Sequence, residues 1–261
     1  MKKTILLISI LMISGIFSIW SESGRQIMES VINNQKSNSS AMDLVMNLVD
    51  RSGNISTRRL QTLILDDQGQ TKTITLFMEP ASVKDTRFLT LENELRNDDQ
   101  WIYLPALRKV KRIAAGEREG SFMGSDFSYS DMSARGGDLD DSDYKILREE
   151  TYNGYDCFVV ESIPHEGTDP VYGKNISWVD KISRLTIKVD FYSLNLSEKI
   201  KELIMENLKE VQGHWVGLKT TMTTIATGHK TIVETRQVKY DIPINPGYFT
   251  TNFLQTGKAR Q

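Results

Sequence analysis

Short runs of alternating apolar and polar residues are the feature that most constrains the fold of this chain. In residues 42–48 and 185–191 every second side chain is apolar, which is the pattern of a half-buried β-strand. Turn dipeptides such as Asn153-Gly154 and Gln212-Gly213 separate such runs and favour antiparallel hairpins. Similar runs lie near residues 57–66, 71–78, 86–92, 99–104, 109–113, 145–151, 156–163, 172–179, 214–226 and 229–240. The sequence therefore predicts a mainly β meander, and the lack of β–α alternation excludes a doubly wound nucleotide-binding sheet.

A few segments carry helix signals instead. In residues 23–34 an apolar stripe follows Ser23, a favoured N-cap residue. Shorter helices are expected near Asp126 and within residues 246–254. Residues 197–210 are ambiguous, since their helix propensity is high but a glycine turn into another alternating run follows them. We expect a strand there, because tertiary context often overrides propensity.

The first 21 residues have the parts of a secretory signal: two lysines, an apolar run of about 16 residues and then small residues. That run is shorter than the ~20 residues of a membrane span, so we expect cleavage after Ser21 or Ser23, with an uncleaved anchor as the alternative. Removing residues 1–21 takes away two lysines and no acid, which moves the formal net charge from −2 to about −4. This balance argues against a nucleic-acid partner. We predict a signal peptide at 1–21 and a single domain over 22–261.

Residues that could carry catalysis are sparse. Cys157 is the only cysteine, and its place in a strand-like apolar run predicts a buried structural thiol. The three histidines stand singly without metal-ligand spacing, and no Gly-x-Ser-x-Gly elbow is present. We therefore predict no catalytic residue, no metal site and no cofactor. A lipid hydrolase with Ser121 or Ser125 as nucleophile beside Asp126 is the least favoured alternative.

Residues 101–132 join an aromatic strand, a basic turn and a glycine-containing loop rich in apolar side chains. The loop composition suits a movable lid over an apolar cavity, or a fixed loop packed into a barrel mouth. The residues expected to contact an apolar ligand are Trp101, Tyr103, Phe122, Met123, Phe127, Tyr129 and Met132. In the basic turn, Arg108 and Arg112 are candidates for contact with an anionic head group or a membrane. Their alternative role is a solvated edge that blocks aggregation.

Two motifs in this stretch, WIYLPALRKVKRI at 101–113 and SFMGSDFSY at 121–129, resemble the outer-membrane lipoprotein-sorting proteins, the LolA-like family. Weaker similarity extends over roughly residues 22–255. The resemblance implies an incomplete, unclosed antiparallel β-barrel of about 11 strands, with a few helices covering or plugging an apolar interior. The basic cluster within 108–112 is typical of one branch of this family but not of the narrower lipoprotein chaperone, which leaves the cargo open.

The same resemblance implies a function. It indicates a periplasmic carrier that binds the acyl chains of lipids or lipoproteins and transfers them between envelope membranes. The expected partners are an inner-membrane transporter of the resistance-nodulation-division (RND) or MmpL type or an outer-membrane acceptor, together with transient membrane contact. A non-catalytic adaptor module of an envelope complex is the alternative function.

Overall fold

A computed structural model describes residues 22–93, 97–133 and 139–259, so the predicted signal segment at 1–21 lies outside the described residues. The helices are α1 (Gly24–Asn34) and α2 (Thr251–Thr256), and the strands are β1 (Ser39–Val49), β2 (Ile55–Asp67), β3 (Gln70–Glu79), β4 (Arg87–Leu91), β5 (Asp99–Leu104), β6 (Lys109–Arg112), β7 (Ser142–Tyr152), β8 (Tyr155–Pro164), β9 (Lys174–Asp180), β10 (Thr186–Tyr192), β11 (Lys199–Val211), β12 (His214–Thr224) and β13 (Lys230–Tyr240). In the part of the chain that is described, no helix has the length and apolar character needed to cross a bilayer.

All strands belong to one antiparallel sheet with the order β6-β5-β4-β3-β2-β1-β13-β12-β11-β10-β9-β8-β7. The sheet is not closed, because β6 and β7 are its two edges and each pairs on one side only. This architecture confirms the predicted mainly β, unclosed barrel. It has 13 strands where about 11 were expected. The ambiguous segment is strand β11, and β6 is an edge strand of only four residues.

Antiparallel order places the strand connections alternately at two rims of the sheet. We call one the upper rim, which carries the connections 50–54, 80–86, 105–108, 165–173, 193–198 and 225–229. The opposite, lower rim carries the connections 68–69, 153–154, 181–185 and 212–213. The two rims therefore present different turns to the surroundings.

The pleat also separates two faces. Phe88 and Ile102 point to the face that we call the plug face, where they join a cluster with Leu60. Their neighbours Leu89 and Trp101 point to the opposite, C-terminal face. On that face Phe253 and Leu254 of α2 pack against the sheet. The guanidinium of Arg87 holds α2 in place, because its Nη1 donates to the Leu254 carbonyl at 2.7 Å.

Helix α1 covers the β7 end of the sheet. Ser23 forms the predicted N-cap, completed by a capping box with Gln26. Ile27 is fully buried against Val160 of β8. A side chain at Gly24 would meet the backbone of Tyr144 in β7 at 3.0 Å, so this glycine sets how closely the helix approaches the sheet.

We expect Gly24→Val to lower the free energy of unfolding by about 1–3 kcal/mol, because overpacking forces the helix away from β7. Urea denaturation of protein that starts at residue 22 measures the change. Gly116→Val is the matched control, since a Cβ at Gly116 meets nothing within 4 Å. Equal stability of the two variants would contradict the close helix–sheet contact.

Candidate functional site

The segment that follows β6 crosses the plug face of the sheet. It begins at the lower-rim end of β6, where Arg112 pairs with Trp101, and leads towards β7, which begins at the upper rim. We call residues 114–133 the plug. It contributes no strand to the 13-stranded sheet and consists of three 3-10 turns, Ala115–Glu117, Phe122–Gly124 and Ser130–Met132, and one bridge between Ser121 and Ser128. No helix begins at Asp126, so the prediction of a short helix there was wrong; the next helical turn in this described segment is the 3-10 turn Ser130–Met132.

Phe122 is the centre of the plug. Its side chain is 0 % exposed, and its ring centroid lies 4.9 Å from that of Phe88 and 5.9 Å from that of Phe77. Tyr129 closes the group edge-on at 5.9 Å from Phe122. Offset and edge-to-face aromatic contacts of this kind add to the free energy of apolar burial. The plug is therefore docked on the sheet by its most buried side chain.

The other predicted plug residues lie around Phe122. Met123, Phe127, Tyr129 and Met132 are partly buried and pack against the same cluster. Phe127 also contacts a second cluster near the upper rim, built from Tyr172, Phe191 and Met222. The structure thus brings together five of the residues that the sequence suggested for apolar contact.

Two backbone positions turn the plug at its tip. Met123 has φ 53° and Gly124 has φ 76°, both in the left-handed region. A Cβ at Gly124 would meet nothing within 4 Å, so backbone conformation and not space requires glycine there. The tip of the plug is therefore a tight turn that depends on glycine at position 124.

A buried carboxylate ties this tip to the upper rim. Asp126 accepts hydrogen bonds from the hydroxyls of Thr224 at 2.6 Å and Thr231 at 2.7 Å. Its backbone N–H donates to the Thr231 oxygen at 2.9 Å. Asp126 is 7 % exposed and Thr231 is 0 % exposed. These bonds join the plug to β12 and β13, and we call them the Asp126 latch.

Polar side chains of the sheet hold the plug backbone elsewhere. Arg58 Nη1 donates to the Met123 carbonyl at 2.7 Å, and Gln100 Nε2 donates to the Tyr129 carbonyl at 2.8 Å. Partial burial lowers the pKa of the Arg58 guanidinium from its usual value. The plug is therefore fixed by a small number of directional bonds above an apolar surface.

A third polar contact binds the end of the plug. The carboxylate of Asp131 accepts from the Tyr172 hydroxyl at 3.0 Å and from the Ser128 backbone N–H at 2.7 Å. Lys201 lies beside both, with its Nζ 3.1 Å from the Tyr172 oxygen and 3.5 Å from Asp131. Burial, and then the charge of Asp131, raise the pKa of Tyr172 above its usual range. Tyr172 therefore remains a neutral donor.

The structure does not bring every predicted residue to the plug. Trp101 and Tyr103 lie on the C-terminal face, where they pack with α2, and Arg87 sits 5.0 Å over the Tyr103 ring. Arg112 forms an ion pair with Asp99 at 2.5 Å. Arg108 is exposed in an upper-rim turn. Only Arg108 of the two arginines therefore presents a free guanidinium, as no ion pair involves it among the described residues.

The C-terminal face carries a separate apolar groove of about 350 Å³. Its lining residues are Ala41, Gln61, Leu63, Leu76, Ile242, Pro243, Ile244, Asn245 and Tyr248. The groove lies on the face of the sheet opposite the plug. A ligand could therefore bind in the groove without displacing the plug.

The two serines that the sequence offers as nucleophiles form hydrogen bonds with backbone carbonyls of the plug. The Ser125 hydroxyl donates to the Phe122 carbonyl at 2.7 Å, and the Ser121 hydroxyl donates to the Ser125 carbonyl at 2.6 Å. Within the described ranges no hydrogen bond joins either serine to a histidine, and no group of three or more His, Cys, Asp or Glu side chains is placed to hold a metal ion. Cys157 is fully buried, and its pKa is raised to about 11 by that burial.

Comparison with known proteins gives a family. A family model described only as "-like: Uncharacterized protein" matches residues 69–256. An outer membrane lipoprotein-sorting protein domain from Vibrio parahaemolyticus is 31% identical with a TM-score of 0.82, and the match covers 89% of this chain and 98% of that one. The chain belongs to the outer-membrane lipoprotein-sorting family.

Two further solved structures are similar to this chain. A DUF1329 family protein from Desulfovibrio piger is 27% identical with a TM-score of 0.85, covering 89% of this chain and 98% of that one. A LolA superfamily protein from Nitrosomonas europaea has a TM-score of 0.69 at 18% identity, covering 89% and 100%, and supports the fold alone. No curated protein matches the sequence. The predicted family resemblance is confirmed.

Several residues that hold the plug of this LolA-like protein were not singled out by the sequence. Arg58 could have been identified from the sequence. It lies two residues before the buried Leu60 in β2, so its side chain points to the same apolar plug face. Thr231 is 105 residues from Asp126, and nothing local marks it. The Asp131, Tyr172 and Lys201 contact likewise joins distant parts of the chain.

Proposed function

We propose that this protein is a non-enzymatic periplasmic carrier that binds acyl chains of a lipid or lipoprotein between the plug and the plug face and transfers them between envelope membranes. One observation carries the proposal. Five apolar side chains cover an apolar sheet face from a segment that is outside the sheet ladder. Family membership supports the same reading, since a related chain is described as an outer membrane lipoprotein-sorting protein domain.

The energetics suit reversible binding. Each buried methylene contributes ~0.8 kcal/mol, so a chain of ~14 carbons gains roughly 10 kcal/mol on leaving water. On the plug face, however, the acyl chain replaces plug side chains that already cover the same surface. The net gain is therefore smaller than the gross burial, and the apparent affinity depends on how often the plug is open. Such competition helps a carrier to release its cargo.

The proposed location and partners follow from the same role. Cleavage after Ser21 keeps Ser23 as the N-cap of α1, so we favour that site over cleavage after Ser23. An inner-membrane transporter of the RND or MmpL type or an outer-membrane acceptor would then load or unload the carrier, with transient membrane contact. The proposed mature chain is one carrier domain over residues 22–261, without catalytic residues, metal or cofactor.

The direct test is native mass spectrometry of protein purified from its own envelope, followed by organic extraction. We expect a bound lipid or acylated species. A second candidate function, the non-catalytic adaptor, is favoured by the complete burial of Phe122 in the docked plug. The adaptor gains support if no lipid is found and a fluorescent fatty acid does not bind. Phospholipid turnover that is lost in Ser125→Ala would support the hydrolase.

A disulfide can test whether the acyl chain binds in the space that the docked plug occupies. In the double variant Asp126→Cys/Thr231→Cys, the two new thiols replace side chains that touch at 2.7 Å. We expect the reduced form to bind a fluorescent fatty acid at least about fivefold more tightly than the oxidised form, because only the reduced form opens. Fluorescence titration before and after reduction measures the ratio.

The wild-type chain, treated identically, is the control. Its single Cys157 is buried and its thiol stays protonated, since burial raises its pKa to about 11. Equal binding by the two forms, with the disulfide verified by mass, would contradict a cargo site beneath the plug.

A further inference from the structure

Exposed apolar side chains are concentrated at one rim of this sheet. Nine large apolar residues are exposed in the described part of the chain. Seven of them lie at or next to upper-rim turns, namely Ile55, Met78, Leu107, Ile163, Leu194, Leu196 and Ile225. The lower rim has one, Ile182, and the remaining residue, Leu147, lies in edge strand β7. Single exposed apolar residues are ordinary, but a contiguous group marks a contact surface.

Charge divides the upper rim into two sectors. The upper-rim turns 50–54, 80–86, 105–108 and 225–229, together with the exposed strand-end residues 55, 78–79, 109 and 230 beside them, contain five cations, Arg51, Lys84, Arg108, Lys109 and Lys230, and three carboxylates, Asp50, Glu79 and Asp85, so the formal sum is five minus three, or +2. We call this part the basic sector. The remaining upper-rim turns, 165–173 and 193–198, contain three carboxylates and no lysine or arginine, and we call them the acidic sector. The lysines that adjoin these turns, Lys174 and Lys199, are half-buried and paired with Glu161 and Asp190 of the sheet.

The cations of the basic sector are available for an outside partner. All five side chains are exposed, and among the described residues none of them takes part in an ion pair. Neighbouring cations on β6 differ, because Lys111 pairs with Glu117 and Arg112 pairs with Asp99. The basic sector also carries four of the exposed apolar side chains, Ile55, Met78, Leu107 and Ile225. Ile55 and Leu107 are each 63% exposed.

The basic sector adjoins the tip of the plug. Thr224 and Thr231, which hold Asp126, flank the upper-rim turn 225–229. Val83, in the turn 80–86, packs against the cluster around Phe122. A partner that docks on this sector therefore lies next to the tip of the plug and the Asp126 latch.

We propose that the basic sector of the upper rim docks on the surface of an anionic phospholipid membrane. Its cations bind lipid phosphates, and its four apolar side chains enter the interfacial region. A surface that combines unpaired cations with exposed apolar groups matches the head-group and acyl boundary of a bilayer, whereas the acidic sector is repelled by it. This inference deepens the proposed function, because it names the surface by which the carrier would approach a membrane.

Vesicle flotation tests the inference. Phosphatidylcholine vesicles with and without phosphatidylglycerol are mixed with the mature protein at low and at high salt. We expect binding to the anionic vesicles, and we expect Arg51→Gln/Lys84→Gln/Lys109→Gln and, separately, Ile55→Ser/Leu107→Ser/Ile225→Ser to weaken it at least about fivefold. The matched controls are Leu194→Ser/Leu196→Ser in the acidic sector and Ile182→Ser at the lower rim, which should bind as wild type does.

A label gives an independent readout. Because Cys157 is fully buried, a cysteine introduced as Leu107→Cys can be labelled alone with an environment-sensitive fluorophore. Its emission should rise on anionic vesicles, while the label at Ile182→Cys should stay unchanged. Absence of wild-type binding to anionic vesicles, or equal loss in the control variants, would overturn the inference in favour of a protein partner at this rim. Fatty-acid binding in the same samples keeps the carrier proposal separately testable.

Discussion

Replacing Phe122 with alanine is expected to tighten fatty-acid binding by at least about 100-fold. Phe122 is completely buried between Phe77, Phe88 and Tyr129, and a core Phe→Ala change costs about 3–5 kcal/mol. If the plug opens as a unit, the docked plug alone loses this stabilisation. Apparent affinity scales with the open fraction, and 1.4 kcal/mol is a factor of ten. A loss of ~3 kcal/mol, the lower end of that range, therefore gives about two factors of ten.

Fluorescence titration of the variant without residues 1–21 measures this affinity, and Phe253→Ala is the matched control. Phe253 is an equally large buried residue, but it belongs to α2 on the C-terminal face, so its removal should lower stability without changing fatty-acid binding. Weaker binding by Phe122→Ala would mean that Phe122 contacts the cargo directly. Unchanged binding together with the full loss of global stability would mean that the plug is permanently fixed, as in an adaptor.

The fold could be predicted from sequence because most strands are amphipathic with a period of two. Segments such as residues 42–48 have one apolar face, which is buried in the folded protein. The short turns between such segments favour antiparallel pairing of successive strands. Strand β11 shows where local propensity fails. Its lysines, glutamates and leucines favour a helix, but the segment pairs with β10 on one side and β12 on the other. The backbone hydrogen bonds to these two neighbouring strands outweigh the intrinsic preference of the segment for a helix.

The candidate site was only partly predictable. The apolar plug residues near Phe122 were evident, since a glycine-containing loop rich in aromatics has no other obvious role. The alternation of side chains along a strand is enough to show that Trp101 and Tyr103 do not face the plug. They alternate with Ile102, and only Ile102 lies on the plug face. The alternation of side chains along β5 thus predicts which residues face the plug, whereas the composition of the motif does not.

Long-range polar contacts were outside the reach of the sequence. Whether Arg112 meets a membrane or a carboxylate depends on the β5–β6 register, which places it beside Asp99. The partners of Asp126 depend on strands that begin about a hundred residues later. No local pattern encodes such pairings, because they form only when the sheet brings distant strands together.

Loss of the Asp126 latch should open the plug about 100-fold more often. Asp126→Ala removes two hydrogen bonds from a buried carboxylate, to Thr224 and Thr231, and a bond to a charged group contributes about 1.5–3 kcal/mol. The lower value for both bonds gives ~3 kcal/mol, or two factors of ten in the opening equilibrium. Hydrogen exchange of residues 121–128 should accelerate accordingly, and fatty-acid binding should tighten in parallel.

Asp180→Ala separates this effect from general destabilisation. Asp180 is also a buried carboxylate, and it accepts two bonds from Ser183, both at 2.6 Å, but it is the last residue of β9, next to the lower-rim turn 181–185. This control should lower global stability while leaving exchange in residues 121–128 unchanged. Asp126→Asn should fall between alanine and wild type, because an amide retains one acceptor and can donate to a threonine oxygen. If both alanine variants accelerate exchange across the whole sheet equally, the plug does not open on its own, and cargo would need another entrance.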